Sequence, residues 1–205
     1  MLLFTLLYKL PALLLCLTVH EFMHGYVAYR LGDTTAKEQG RLTFNPIKHL
    51  DPFGTLAIIF LPFGWAKPVP VNPYRFRNPR RDMVIVGVAG PIANFIAAFI
   101  VAKLLLLGGV FTAPYVATLI DVIVMINVAL GIFNLLPIPP LDGSKIIPYL
   151  LPESMQQGWY KFEQYGFLIL LVLVFMIPNS LAFINVPINY LMPFMYAPLP
   201  VPSIF

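Results

Sequence analysis

The amino-acid sequence predicts an all-α polytopic membrane protein, and three observations carry that prediction. Hydrophobic residues make up 59% of the chain and charged residues only 11%, whereas a soluble globular chain carries about 25% charged residues. So few charges cannot clothe a water-facing surface. Apolar stretches recur along the chain at the length of roughly 20 residues that crosses a hydrocarbon core. Nine of the thirteen Lys and Arg fall between Arg30 and Arg81. Spread among prolines and apolar residues, they read as a signal of membrane orientation. They do not form the compact basic face a nucleic acid would need, so no nucleic-acid partner is expected.

The first apolar stretch runs from Leu2 to Tyr29, and its only ionisable groups are Lys9, His20, Glu21 and His24. Arg30 and the Gly32-Asp33 pair end it. It lacks the basic start of a signal peptide, so it is expected to stay as a span. Arg30 to Asp82 is polar, basic and rich in Pro and Gly. An apolar island of nine residues inside it, Thr55 to Phe63, is too short to span and reads as a strand pair or a re-entrant piece. The prolines of Val69-Pro70-Val71-Asn72-Pro73 limit that stretch to an edge strand or an extended segment. Met83 to Leu107 is a second span, interrupted early by Gly90-Pro91. Tyr115 to Leu136 is a third, carrying Asp121, Asn127 and Asn134. Phe167 to Ile177 centres a fourth, which begins near Glu163 and stops at Pro178. Leu181 to Tyr196, broken by Pro187 and Pro193, reads as an interfacial segment or as a distorted fifth span. The expectation is four to five transmembrane helices plus a small membrane-associated β or re-entrant segment after the first helix. Residues 1–205 are expected to form a single membrane-embedded domain. Cys16 is the only cysteine, so no internal disulfide forms.

The excess of positive charge places Arg30 to Asp82 in the cytoplasm and the N-terminus outside. The second span then leads out and the third leads back. The Gly108 to Pro114 loop is outside, and Pro137 to Tyr160, with Lys145, is inside. Asp121 lies toward the outer face, where it is expected to pair with Lys103.

His20-Glu21-Phe22-Met23-His24 is an H-E-x-x-H motif. Positions four apart share a helix face, so both imidazoles can reach one ion. Glu21, one position on, can reach a metal-bound water as general base. Ionisable residues inside a span are costly and usually mark function; the plain alternative is a set of hydrogen-bonded polar residues at a helix end. Catalytic zinc generally takes three protein ligands and keeps one position open. The candidates for the third ligand are Asp142, His49, Asp51, Asp33 and Asp121. His24 lies six residues before Arg30, about 9 Å of helix rise, so the pair sits near the cytoplasmic end of its helix. Asp142 follows the third span where that span returns to the same side. Asp121 lies at the wrong depth; Asp33, His49 and Asp51, in a loop, stay open on depth alone. An Asp-Gly pair is also an ordinary turn signal.

Several separate stretches together resemble the site-2 protease family. His20 to His24 is similar to its metal helix, and Gly90-Pro91-Ile92-Ala93-Asn94 to its G-P-x-x-N helix. The run from Asn134 through Pro137 to Leu141-Asp142-Gly143 is similar to its N-x-x-P-x-x-x-L-D-G motif. Gly40 to Pro46 and Asp51 to Gly54 resemble its smaller bacterial and archaeal members. The resemblance spans His20 to Gly143 in family order; beyond Gly143 it is only hydropathic. It implies an intramembrane zinc metalloprotease in a compact form without PDZ or CBS domains. Its catalytic core would lie at about 1–143, with C-terminal helices at about 144–205. One zinc ion would be bound by His20, His24 and Asp142, with Glu21 as base. Asn94 and Asn134 would assist by holding substrate or stabilising an oxyanion, although either Asn can serve helix packing alone. The resemblance further implies transmembrane protein substrates, regulated intramembrane proteolysis, and a multi-pass location in a prokaryotic cell membrane with the active site toward the cytoplasm. An unwound substrate segment is expected to pair with an edge within Thr55 to Pro73. Two other classes compete. A metal-ion transporter would need polar groups continuing across the membrane, and a non-catalytic membrane scaffold would have no use for Glu21.

Overall fold

The computed structural model describes residues 2–60, 64–108, 114–177 and 179–197. Residues 109–113 of the expected outer loop and the expected stop at Pro178 lie outside them. The chain opens on Leu2–Phe4 and a π turn over Thr5–Lys9 that runs directly into α1, Leu10–Arg30. Pro11 explains the π turn: a proline ring removes an N–H and crowds the preceding turn, and a widened turn accommodates it. The Leu10 N–H accordingly reaches back to Thr5 O. The other long helices are α2, Pro52–Phe60; α3, Pro79–Gly108; α4, Pro114–Asn134; α5, Glu153–Glu163; α6, Gly166–Met176; and α7, Asn185–Tyr196.

Among the described residues, three helical segments have the length and apolar character to cross a membrane: Thr5–Arg30, Pro79–Leu106 and Pro114–Asn134. A fourth span arises only if α5 and α6, bent by 59° at their junction, count as one. With 11 residues, α6 rises about 16 Å, half of a hydrocarbon core of about 30 Å. The 12 residues of α7 rise about 18 Å, also short of a full crossing.

α1, α3 and α4 pack against one another through small side chains. Ala12, Cys16 and Ala28 of α1, Ala89, Ala93, Ala98 and Ala102 of α3, and Val124 and Val128 of α4 are buried. Small residues are what membrane helices use to bring backbones close, because lipid supplies no hydrophobic drive between them. α7 lies across α3 and α4, with Met195 packed among Ala98, Ala102, Val124 and Val128.

Two expectations change. The described part of the apolar island forms no strand pair: Pro52–Phe60 is helical, positions 61–63 lie outside the described residues, and the described residues contain one isolated antiparallel bridge, Leu50 to Ala66, and no strand. Asp51 starts that helix, its Oδ1 accepting from the Gly54 N–H at 2.8 Å, and an N-terminal carboxylate of this kind favours helix over strand. Lys103 and Asp121 also do not pair. Lys103 Nζ donates to Ala197 O, and Asp121 Oδ1 accepts from Tyr196 OH at 2.7 Å. The end of α7 lies close enough to satisfy each charge separately.

The proline-rich stretch after α2 is an extended strap over 66–72, fastened at four points. Lys67 N donates to His49 O at 2.9 Å, and Arg41 Nη2 donates to Lys67 O at 2.7 Å. Val69 N donates to Glu21 Oε2 at 2.8 Å and Asn72 N to Asp33 Oδ2 at 2.6 Å. Pro68 and Pro70 have no N–H, so the donors of the strap belong to the residues that face the protein.

Candidate metal centre

His20 and His24 lie one turn apart on the face of α1 that meets α3, both buried. Their Nε2 atoms are 3.0 Å apart, and Asp142 Oδ2 lies 2.9 Å from the first and 3.0 Å from the second. The other ring nitrogens point away: His20 Nδ1 to Asn94 Oδ1 at 2.6 Å, His24 Nδ1 to Val86 O at 2.7 Å. A carbonyl oxygen only accepts, so both Nδ1 atoms carry the proton and both Nε2 atoms of the neutral rings present lone pairs. Two imidazole lone pairs and a carboxylate oxygen aimed at one point repel unless a cation joins them.

The donor set therefore fits a metal, and among the described residues it is the one group of three His, Cys, Asp or Glu side chains close enough to hold one. Two imidazoles and a carboxylate suit zinc. Two ligands each about 2.0 Å from an ion at the tetrahedral angle stand roughly 3.3 Å apart, close to the separations here. Gly90 of α3 supplies the room. A Cβ at that position would fall against His24 Nε2 and lie 2.7 Å from His20 Cε1. The G-P step thus does more than let two helices approach: it leaves space for both rings.

Asp142 arrives from a 3-10 turn, Asp142–Ile146, that follows α4. Gly143 makes the turn possible, because a Cβ there would meet the carbonyl of Leu135. Lys145 Nζ donates to Asp142 Oδ1 at 2.8 Å, which leaves Oδ2 for the histidines. The Lys145 stem passes over Gly87, where a Cβ would stand 3.4 Å from it. Burial pushes the Asp142 carboxyl up, and the Lys145 ammonium on its Oδ1 opposes that by favouring the ionised form.

Glu21, also buried, sits beside this cluster with Oε2 on the Val69 N–H of the strap. The other candidate third ligands are elsewhere. His49 Nε2 donates to Thr43 O at 2.8 Å, Asp51 caps α2, and Asp33 holds the Thr35 and Asn72 N–H groups. Asn94 is fully buried, with Oδ1 on His20 and Nδ2 donating to Cys16 O and Asn127 Oδ1. Asn134 donates to Leu130 O of its own helix at 3.0 Å. Val86 O, Lys145, Val69 and Asn127 were not singled out as site residues by sequence reasoning. Lys145, three residues from Asp142, was the one within reach of a spacing argument.

A sequence profile of peptidase family M50 matches residues 8–115 and 107–177. The chain belongs to this family, the site-2 protease family. A Bacillus subtilis (strain 168) relative named "Putative zinc metalloprotease YwhC" is 46% identical over 173 residues, 81% of this chain and 79% of that protein. A Mycolicibacterium smegmatis relative named "Putative zinc metalloprotease Rip2" is 34% identical over 170 residues, 78% of this chain and 64% of that protein. "Zinc metalloprotease MJ0392" of Methanocaldococcus jannaschii is 26% identical over 149 residues, 73% of this chain and 35% of that protein. No solved structure gives a significant match. This M50 chain is an integral membrane protein and a zinc metalloprotease by family.

Proposed function

We propose that this chain hydrolyses peptide bonds within or near the transmembrane segments of other membrane proteins, with zinc held by His20, His24 and Asp142 and with Glu21 as the general base. The observation that carries this reading is the convergence of three buried metal donors at a point beside an equally buried glutamate, inside a bundle of apolar helices. When bound, zinc acidifies a water and polarises the scissile carbonyl. Glu21 takes a proton at its carboxylate and later returns it to the leaving amine. Its Oε2 is steadied by the Val69 N–H, which leaves Oε1 as the oxygen for proton transfer. Asn94 acts on His20, since both ends of its amide are engaged. Asn134, closer to Asp142 in sequence, is the one left to hold substrate or an oxyanion. The strap at 66–72 serves as the substrate's edge, offering carbonyl acceptors at Pro68 and Pro70 to an unwound segment.

The site faces the cytoplasm in this reading, because His24 lies about 9 Å of helix rise from Arg30 and the basic loop that follows. Cleavage by the purified protein in lipid of a single-span substrate tests it. Cutting should occur toward the cytoplasmic end of the substrate helix, stop on chelation, return with added zinc, and speed up when Gly or Pro loosens the helix. Cutting confined to extramembrane loops, with no response to helix breakers, would sink it.

A further inference from the structure

The two histidines are oriented by different means. His24 Nδ1 donates to Val86 O, a backbone carbonyl of α3 that no side-chain change removes. His20 Nδ1 donates to a side-chain amide, Asn94 Oδ1. An amide can turn over, and in the reversed state it would present an NH₂ group, a donor facing a donor. Something must hold Asn94 the right way round.

We infer that Asn127 of α4 is the positioning residue that sets the orientation of Asn94 and, through it, of the His20 imidazole toward the metal, an inference that rests on the metal site proposed above. Asn127 Nδ2 donates to Ile123 O of its own helix at 3.0 Å. Because a carbonyl only accepts, that bond turns Asn127 Oδ1 toward α3. Asn94 Nδ2 donates to this oxygen at 2.7 Å, and to the carbonyl of Cys16 at a longer 3.2 Å. With its NH₂ group committed to two acceptors, Asn94 has only Oδ1 left for His20. The polarity runs one way, from His20 Nδ1–H through Asn94 and Asn127 to Ile123 O, and it directs the His20 Nε2 lone pair at Asp142 and His24.

Three features support the assignment. Asn94 and Asn127 are buried at 0% and 2% relative exposure, so water cannot replace either bond. Each link joins a different pair of helices, α1 to α3 and α3 to α4. Asn127 hydrogen-bonds to Asn94 and to Ile123 O and not to the histidines or Asp142, so its polar link to the metal site runs through Asn94.

The test is a double-mutant cycle on zinc affinity in the full chain purified in detergent, read by chelator competition, with the visible spectrum of the cobalt-substituted protein beside it. Asn127→Leu should weaken zinc binding by about tenfold or more, the scale on which outer-shell partners of metal ligands act, and should alter the cobalt spectrum. Asn94→Leu should do at least as much. Asn94→Leu with Asn127→Leu should bind zinc no worse than Asn94→Leu alone, because Asn127 has nothing left to orient. Asn127→Ala, which suits a helix interior, runs the same cycle if leucine does not fit. Wild-type affinity and spectrum in both Asn127 variants would overturn the inference, as would additive losses in the double variant. Wild-type zinc affinity in His20→Ala, His24→Ala and Asp142→Ala would instead remove the metal site itself.

Discussion

Two groups of polar residues lie in the same apolar bundle and are satisfied in opposite ways. At the metal end, side chains from three helices and one turn converge: His20 and His24 face Asp142, His20 bonds to Asn94, and Asn94 to Asn127. At the other end Lys103 and Asp121 ignore each other, and each bonds to the end of α7. A charge in a membrane helix requires a partner, but the partner need not be the nearest opposite charge. Convergence on one point marks the functional site; separate local satisfaction marks an anchor for a packed helix.

This contrast is sharpest under ligand removal. Asp142→Ala should abolish both bound zinc and cleavage, because it takes away the third metal donor of the group; metal analysis of the purified variant checks it. Next comes Glu21→Gln, which should keep zinc and the fold but lower cleavage by roughly 10²–10⁴-fold, the usual contribution of a positioned acid–base group. A variant that still cleaves well would assign the base elsewhere.

Gly90→Ala probes how tightly the rings are seated. The added methyl must displace His20 or His24, so zinc affinity should fall, and stability should drop by about 1–3 kcal/mol, as for other overpacked cores. Chelator competition and thermal unfolding measure the two effects. Lys145→Met frees Asp142 Oδ1 without touching Oδ2, so zinc should be retained while cleavage falls by about tenfold, with Lys145→Arg closer to wild type. The smallest change belongs to the other end of the bundle. Tyr196→Phe removes one interhelical bond from Asp121 and should cost about 0.6 kcal/mol, the average for such bonds in membranes, with zinc content unchanged. A loss of zinc there would mean that the two ends are coupled.

Three of the expected four to five spans were legible as long, nearly uncharged runs, and the four-residue spacing of His20 and His24 placed both rings on one helix face. The island was not legible: its apolar residues fit a strand or a helix equally by periodicity, and over its described part, up to Phe60, the capping bond from Asp51 to Gly54 favours helix. Lys103 and Asp121 misled because opposite charges at similar depth suggest a pair, while the true partners sit on α7, some 75 residues and more away along the chain.

What the sequence determined by itself is what local geometry controls. Helical periodicity joins His20 to His24, composition commits the chain to the bilayer, and a turn-forming Asp-Gly pair ends the return from α4. Only the tertiary structure decided which groups surround those residues: Val69 on Glu21, Lys145 on Asp142, and the chain from His20 through Asn94 to Asn127. The reason is physical. Rise and rotation along one helix follow from its backbone, but the distance between two helices depends on every side chain packed between them, and a hydrogen bond is made or lost within a few tenths of an ångström.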